Sequence, residues 1–171
     1  MHALAVALWN AGTLAQFERN PAEVERLASD LIELSTRQTF AYYLAGGEVL
    51  RGWARSASGD AAEGIARIKE GIRDYQETGA VLRLPYFLAL KAEALHFADR
   101  TSEALEAIGE AEALAERSEG RWWCAEMHRL RGVFLTAMGA EETKIQASFC
   151  AAIKTAKEQK SVSLARGDPK R

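Results

Sequence analysis

Proline is scarce: Pro21, Pro85 and Pro169 are the three in 171 residues, so helices can run almost anywhere along the chain. Cysteine is scarcer still. Cys124 and Cys150 form no C-x-x-C pair, and a chain of this size buries a core without disulfides. They read as two reduced packing cysteines of a cytosolic protein, so the expected location is the cytoplasm. Neither sign of charge is in excess, since 22 basic against 24 acidic residues leave −2. Nucleic-acid and membrane-surface binders carry a basic excess, so neither nucleic acid nor membrane is expected among the partners. No apolar run approaches the roughly 18 residues of a membrane span. Ala3-Leu-Ala-Val-Ala-Leu-Trp9 has the apolar character of a signal peptide. No Lys or Arg precedes it, however, and its pattern continues into Gln16, Glu18 and Arg19, which predicts a helix.

Catalytic chemistry is also missing. His2, His96 and His128 make no H-E-x-x-H or other zinc spacing, and no phosphate-binding glycine motif is present. His96 and His128 stand near the same phase of neighbouring helices, where they can approach one another, but they read as structural histidines. Cys124 and His128 share one helix face four residues apart. Without an orienting third group or an oxyanion site that pair is no nucleophile. Glu103, Glu106 and Glu110 read as a solvated surface rather than acid/base carboxylates. No catalytic residue, metal or cofactor is expected, and the chain is not expected to be an enzyme.

What the chain has in abundance is helical pattern. A first helix is predicted over residues 3–19, and Asn20-Pro21 breaks it and opens a second running to about Ser35. Val24, Leu27, Leu31 and Leu34 make its apolar stripe. A third helix spans about Thr39 to Ala57, ended by Ser58-Gly59 with Asp60 as cap for a fourth carrying Ile65, Ile68, Ile72 and Tyr75. A third pair begins near Leu84-Pro85, turns at Asp99-Arg100 and carries Leu105, Ile108, Ala111 and Leu114, with a stop at Ser118-Glu-Gly120. A fourth starts at Trp122-Trp123, runs to Gly139, and pairs with a helix carrying Ile145, Phe149, Ala152, Ile153 and Ala156. Ser161 to Ala165 looks like the start of a fifth pair. No stretch alternates in the manner of a strand.

Small residues stand at Gly12, Gly52, Ala92 and Gly132, a period of 40. A closed up-down bundle also has short loops, but it does not need a small residue at one fixed phase. Stacked helix pairs do, because neighbours must approach closely. The predicted fold is therefore all-α, an α-solenoid of about four antiparallel helix pairs. The pairs cover about 1–37, 38–79, 80–120 and 121–160 within one domain, 1–165, followed by a polar tail, 166–171.

The unit resembles the tetratricopeptide repeat. Gly52, Gly59-Asp60 and Gly64 fit its pattern, as do Ala92, Asp99-Arg100 and Ala104, with Gly71 and Ala111 in the second helices. The period of 40 exceeds the roughly 34 residues of the standard repeat. The glycine is preceded as Leu-x-Gly rather than Leu-Gly. Longer phrases are similar to the C-terminal helical-repeat region of large bacterial signalling proteins that combine an adenylate/guanylate cyclase or transcriptional-regulator domain with an ATPase module. They are Leu50-Arg-Gly-Trp-Ala54, Glu63-Gly-Ile-Ala66, Leu84-Pro-Tyr-Phe-Leu-Ala-Leu90 and the run Arg121 to Gly132. Cys124 and Met127 stand where that pattern has glutamate and leucine more often. The resemblance implies an interaction module without catalysis, a fragment or stand-alone remnant of a longer repeat region. The cyclase and ATPase activities do not carry over.

In such a fold the first helix of each pair lines a concave face. By phase the candidates there are Trp9, Phe17 and Phe97 together with Trp53, Tyr86, Glu93, His96, Glu126 and Arg129. The last six are the expected groove, suited to an extended or helical peptide because aromatics and arginine dominate binding hot spots. Trp122 and Trp123 are expected to pack between helices. The expected partner is a protein or peptide segment, including another domain of the same regulatory protein. Two alternatives stand beside it: a sensory module with a small ligand in the groove, and a homodimer formed through uncapped ends.

Overall fold

The computed structural model describes residues 1–117 and 121–160. The expected stop at 118–120, the further helix expected to start at 161–165 and the tail at 166–171 lie outside the described residues. The described chain is built of α1 (His2–Phe17), α2 (Pro21–Gln38), α3 (Ala41–Ala57), α4 (Ala61–Glu77), α5 (Leu84–Phe97), α6 (Thr101–Arg117), α7 (Cys124–Ala137) and α8 (Glu142–Glu158). A single 3-10 turn, Arg121–Trp123, leads into α7. Among the described residues there is no strand, and no helix is long and apolar enough to cross a membrane.

Each pair turns between its two helices on a residue in the left-handed backbone region, and these residues keep the period. Arg19, Gly59, Asp99 and Gly139 have φ of 57°, 104°, 57° and 64°. A left-handed residue reverses the chain after a helix at the cost of a Cβ clash in all residues but glycine. Asn20 caps α2 as expected, its side chain accepting from the Glu23 N–H at 3.2 Å, with Pro21 in the first turn. Asp60 holds the cap position of α4, but its side chain makes no capping bond; its carbonyl accepts from the Gly64 N–H instead.

The expected apolar stripes are met over most of their positions. Val24, Leu27, Leu31, Ile65, Ile68, Tyr75, Ile108 and Ala111 are buried as expected, but Leu34, Ile72, Leu105 and Leu114 lie at the edge of the stripes and are only partly buried. The buried phase is Val24, Ala28, Leu31 and Ser35 on α2, and it repeats 40 positions on as Gly64, Ile68, Gly71 and Tyr75. A further 40 gives Ala104, Ile108, Ala111 and Ala115. Several of these residues are too small to register as hydrophobic, so the eye follows the larger leucines beside them. The small residues serve close helix approach. A Cβ on Gly52 would lie 2.7 Å from the Gly64 carbonyl, and one on Gly64 would lie 2.4 Å from the Gly52 carbonyl. Real Cβ atoms do not approach backbone so closely, so α3 and α4 can meet at this distance only with glycine on both sides.

The chain divides into two compact units, Met1–Val81 with α1 to α4 and Leu82–Arg171 with α5 to α8. In the first, α3 packs most extensively on α4 and α2; in the second, α5 packs on α6 and α7 on α8. The first core joins Trp53, Tyr75, Leu31, Leu50 and Ile68, and the second Tyr86, Phe87, Leu90, Ile108, Met127 and Phe134.

Candidate functional site

The six residues expected to form a groove divide between the units. Trp53 lies on α3 in the first, buried at 1% exposure. The other five lie in the second, on α5 and α7.

On α5, Tyr86 and Glu93 are seven residues apart, two turns along one face. The Tyr86 ring is buried against Phe87 at 5.8 Å, Trp122 at 5.4 Å and Trp123 at 4.9 Å between centroids. Trp122 and Trp123 do not open α7, as the sequence predicts, but occupy the 3-10 turn before it. Within this turn the two indoles stay in contact, their centroids 5.4 Å apart, but differ in exposure. Trp123 is buried, while Trp122 is 41% exposed with the Arg83 guanidinium 5.8 Å from its ring. Trp122 thus packs on Tyr86 on one side and meets solvent on the other. Arg83 carries no periodic signal in the sequence and is absent from the expected groove.

On α7, Glu126 accepts from the Arg129 Nε and Nη2 at 2.8 and 2.7 Å, one turn apart on the same helix. Glu126 and Glu93 are almost wholly buried. Burial alone would pull the Arg129 guanidinium down, but the Glu126 hydrogen bonds and the charges of Glu126 and Glu93 more than offset this and raise its pKa above the ordinary value. The result is a partly exposed cation held by the buried Glu126 carboxylate, with the charge of buried Glu93 adding to its stabilisation. Such a bidentate pair holds its geometry better than a lone side chain does. Glu93 and Glu126 therefore act from beneath the surface, and Arg129 and Trp122 carry the exposed part. His96, half-buried, places Nδ1 3.0 Å from the Thr101 hydroxyl and its ring 5.0 Å from Phe134.

Of the other candidates, Trp9 is buried in the first unit beside Tyr42 and Tyr43, at 4.8 and 5.3 Å, while Phe97 on α5 is 44% exposed. His128 engages not His96 but Glu112, with Nδ1 3.2 Å from its carboxylate.

That contact opens onto a cleft that sequence reasoning missed. Glu112 and Glu116 of α6, Cys124 and His128 of α7, and Thr155, Glu158 and Gln159 at the end of α8 line about 300 Å³. Glu112 is its best-held group, receiving Arg131 Nε at 3.0 Å as well as Arg131 Nη2 and His128. Burial raises the Glu112 carboxyl, but the hydrogen bonds and charges of His128 and Arg131 outweigh this and hold it below the usual range. Among the described residues no group of three or more His, Cys, Asp or Glu side chains stands as metal ligands would.

No family model matches the chain. It is similar to an uncharacterized protein of Rhizobium meliloti (strain 1021), with 31% identity over 115 residues, which are 67% of this chain and 11% of that protein. Among solved structures it is similar to Bacillus thuringiensis PlcR in complex with the peptide PapR7 and DNA, with a TM-score of 0.69 and 15% identity. The likeness takes in 93% of this chain and 64% of the PlcR chain. It shows the fold, a helical repeat. The PlcR complex also overturns one expectation drawn from composition, that nucleic acid has no place among the partners of such a chain. A net charge of −2 is a sum over the whole surface. Phosphate is met by local cations, which such a sum does not reveal.

Proposed function

We propose that this chain is a non-catalytic interaction module that holds a peptide segment of a partner protein, or of another domain of its own polypeptide, in a bacterial signalling or regulatory protein. The observation that carries the reading is the α5–α7 surface of the second unit. There Trp122, backed by Tyr86 at 5.4 Å and met by the Arg83 guanidinium at 5.8 Å, stands in the 3-10 turn that leads into α7, and Glu126 holds Arg129 in the first turns of that helix. Exposed aromatic area beside a pre-positioned guanidinium is the chemistry of a hot spot. The fold's likeness to PlcR, whose structure holds a peptide, points the same way. The resemblance of the longer phrases to the repeat tails of cyclase–ATPase and transcriptional-regulator proteins supports the regulatory setting and a cytoplasmic location.

A peptide array probed with the chain tests this. Peptides that bind are expected to lose about tenfold or more in affinity to Trp122→Ala and to Arg129→Ala, since each removes a hot-spot group. Equal binding by the wild type and both variants would remove the site from the account.

A second reading, a sensory module for a small ligand, is favoured by the cleft at Glu112, Cys124 and His128. Its volume stands at the lower end of the range of roughly 300–1,000 Å³ that holds small molecules. A thermal-shift screen separates the two readings, because a ligand that binds the folded state raises its melting temperature.

A further inference from the structure

The outer face of α1 is apolar and uncovered. From Ala3 to Phe17 the helix carries no charged residue. Leu4 is 50% and Leu14 57% exposed, with Ala7 and Asn10 exposed between them. A helix that is apolar around its circumference belongs in a packed interior, and the terminal repeat of a stacked array is expected to show a polar outer face instead.

The repeat shows what covers this face elsewhere. Forty positions on, Ala7, Asn10 and Leu14 become Gly47, Leu50 and Ala54 of α3, all buried. The preceding pair covers them. A Cβ on Gly47 would lie 2.9 Å from Ile32 of α2, and the Leu50 Cδ1 would lie 3.2 Å from a Cβ on Gly12 of α1. In the second unit the same phase gives Met127, Leu130 and Phe134 of α7, also buried, with Phe134 against His96 of α5. The charges follow the same rule. Arg51 of α3 reaches back to Glu25 of α2 at 3.2 Å, and Arg131 of α7 to Glu112 of α6. At that phase α1 has Ala11.

We infer that the α1 face of Leu4, Ala7, Asn10 and Leu14 is a docking surface for one further helix pair of this same repeat, whose second helix lies on α1 as α2 lies on α3. The occupant is an amphipathic helix whose docking face repeats that of α2 on α3, where Ile32 and Leu31 meet Gly47 and Glu25 meets Arg51. Opposite Ala11 it needs no carboxylate. This surface is independent of the α5–α7 site.

The test uses the full chain and, as probe, an end-capped peptide with the sequence of residues 20–38. Light scattering reads the mass of the chain alone, and amide NMR reads where the peptide binds. The chain is expected to be a monomer whose Leu4 to Leu14 amides shift on adding peptide. Leu14→Glu and Ala7→Glu, each checked for fold by circular dichroism, are expected to weaken binding about tenfold or more, since each places a charge against apolar surface. Lys69→Glu, on an exposed position of α4, is expected to leave it unchanged. No shift of α1 amides with peptide at about 1 mM would overturn the inference, since even a weak complex is visible there. A concentration-dependent doubling of mass abolished by Leu14→Glu would overturn it in favour of a second copy.

Discussion

Single residues carry much of the strain and much of the closeness in this fold. Thr39, the turn between α2 and α3, sits at φ 57° and ψ 39° on an exposed position. A β-branched residue there is strained, and glycine is not, so Thr39→Gly is expected to stabilise the protein by about 1 kcal/mol in urea denaturation. Gly64 makes the opposite case. Its place beside the Gly52 carbonyl and the Ser56 hydroxyl has no room for a methyl group. Gly64→Ala is expected to cost about 1–3 kcal/mol by overpacking, read from the same denaturation midpoint. Glycine and alanine at the buried 40-residue phase explain why the stripes were legible in period but only in part in phase. Sequence reading weights Leu34, Leu105 and Leu114, whereas packing selects Ser35, Ala104 and Ala115.

At the scale of the element, helices and their pairing were plain in the sequence, because long proline-free stretches of good helix formers leave little alternative. Boundaries were less so. α2 runs on to Gln38 because Thr36, Arg37 and Gln38 need no apolar partner to stay helical, and the 3-10 turn at Trp122-Trp123 has no periodic signature at all. Cross-helix charge pairs were also hidden, since periodicity does not say which turn of α6 faces which turn of α7. The Glu112 cluster is the main example, joining residues 112, 128 and 131. Its carboxyl is held below its ordinary value of about 4.5, so the folded state takes up that proton less readily than the unfolded chain does. The stability it contributes is present above the unfolded pKa and is lost as the pH falls through the lower folded value. Glu112→Gln is accordingly expected to destabilise by about 1–3 kcal/mol at pH 7. The gap from wild type should narrow as urea melts are taken down towards pH 3; an equal gap at both pH values would count against the ion cluster.

For the molecule as a whole, the 40-residue period organises three features at once: the small residues of the first helices, the left-handed turns and the buried phase of the second helices. The candidate site was legible only in part. Tyr86, Glu93, Glu126 and Arg129 fall on the second unit's first helices as their phase implied, but the phase did not show that both carboxylates are buried or that Trp122 carries the exposed aromatic surface. The central claim is that a peptide lands on Trp122 and Arg129. The chain has four tryptophans, so the indole N–H region of its NMR spectrum holds one reporter for each. On titration with the tightest-binding array peptide, the Trp122 indole is expected to move with saturation, while those of buried Trp9 and Trp53 stay in place and Arg129→Ala abolishes the change. A peptide that binds without moving the Trp122 indole, or that moves it equally in Arg129→Ala, would contradict the account.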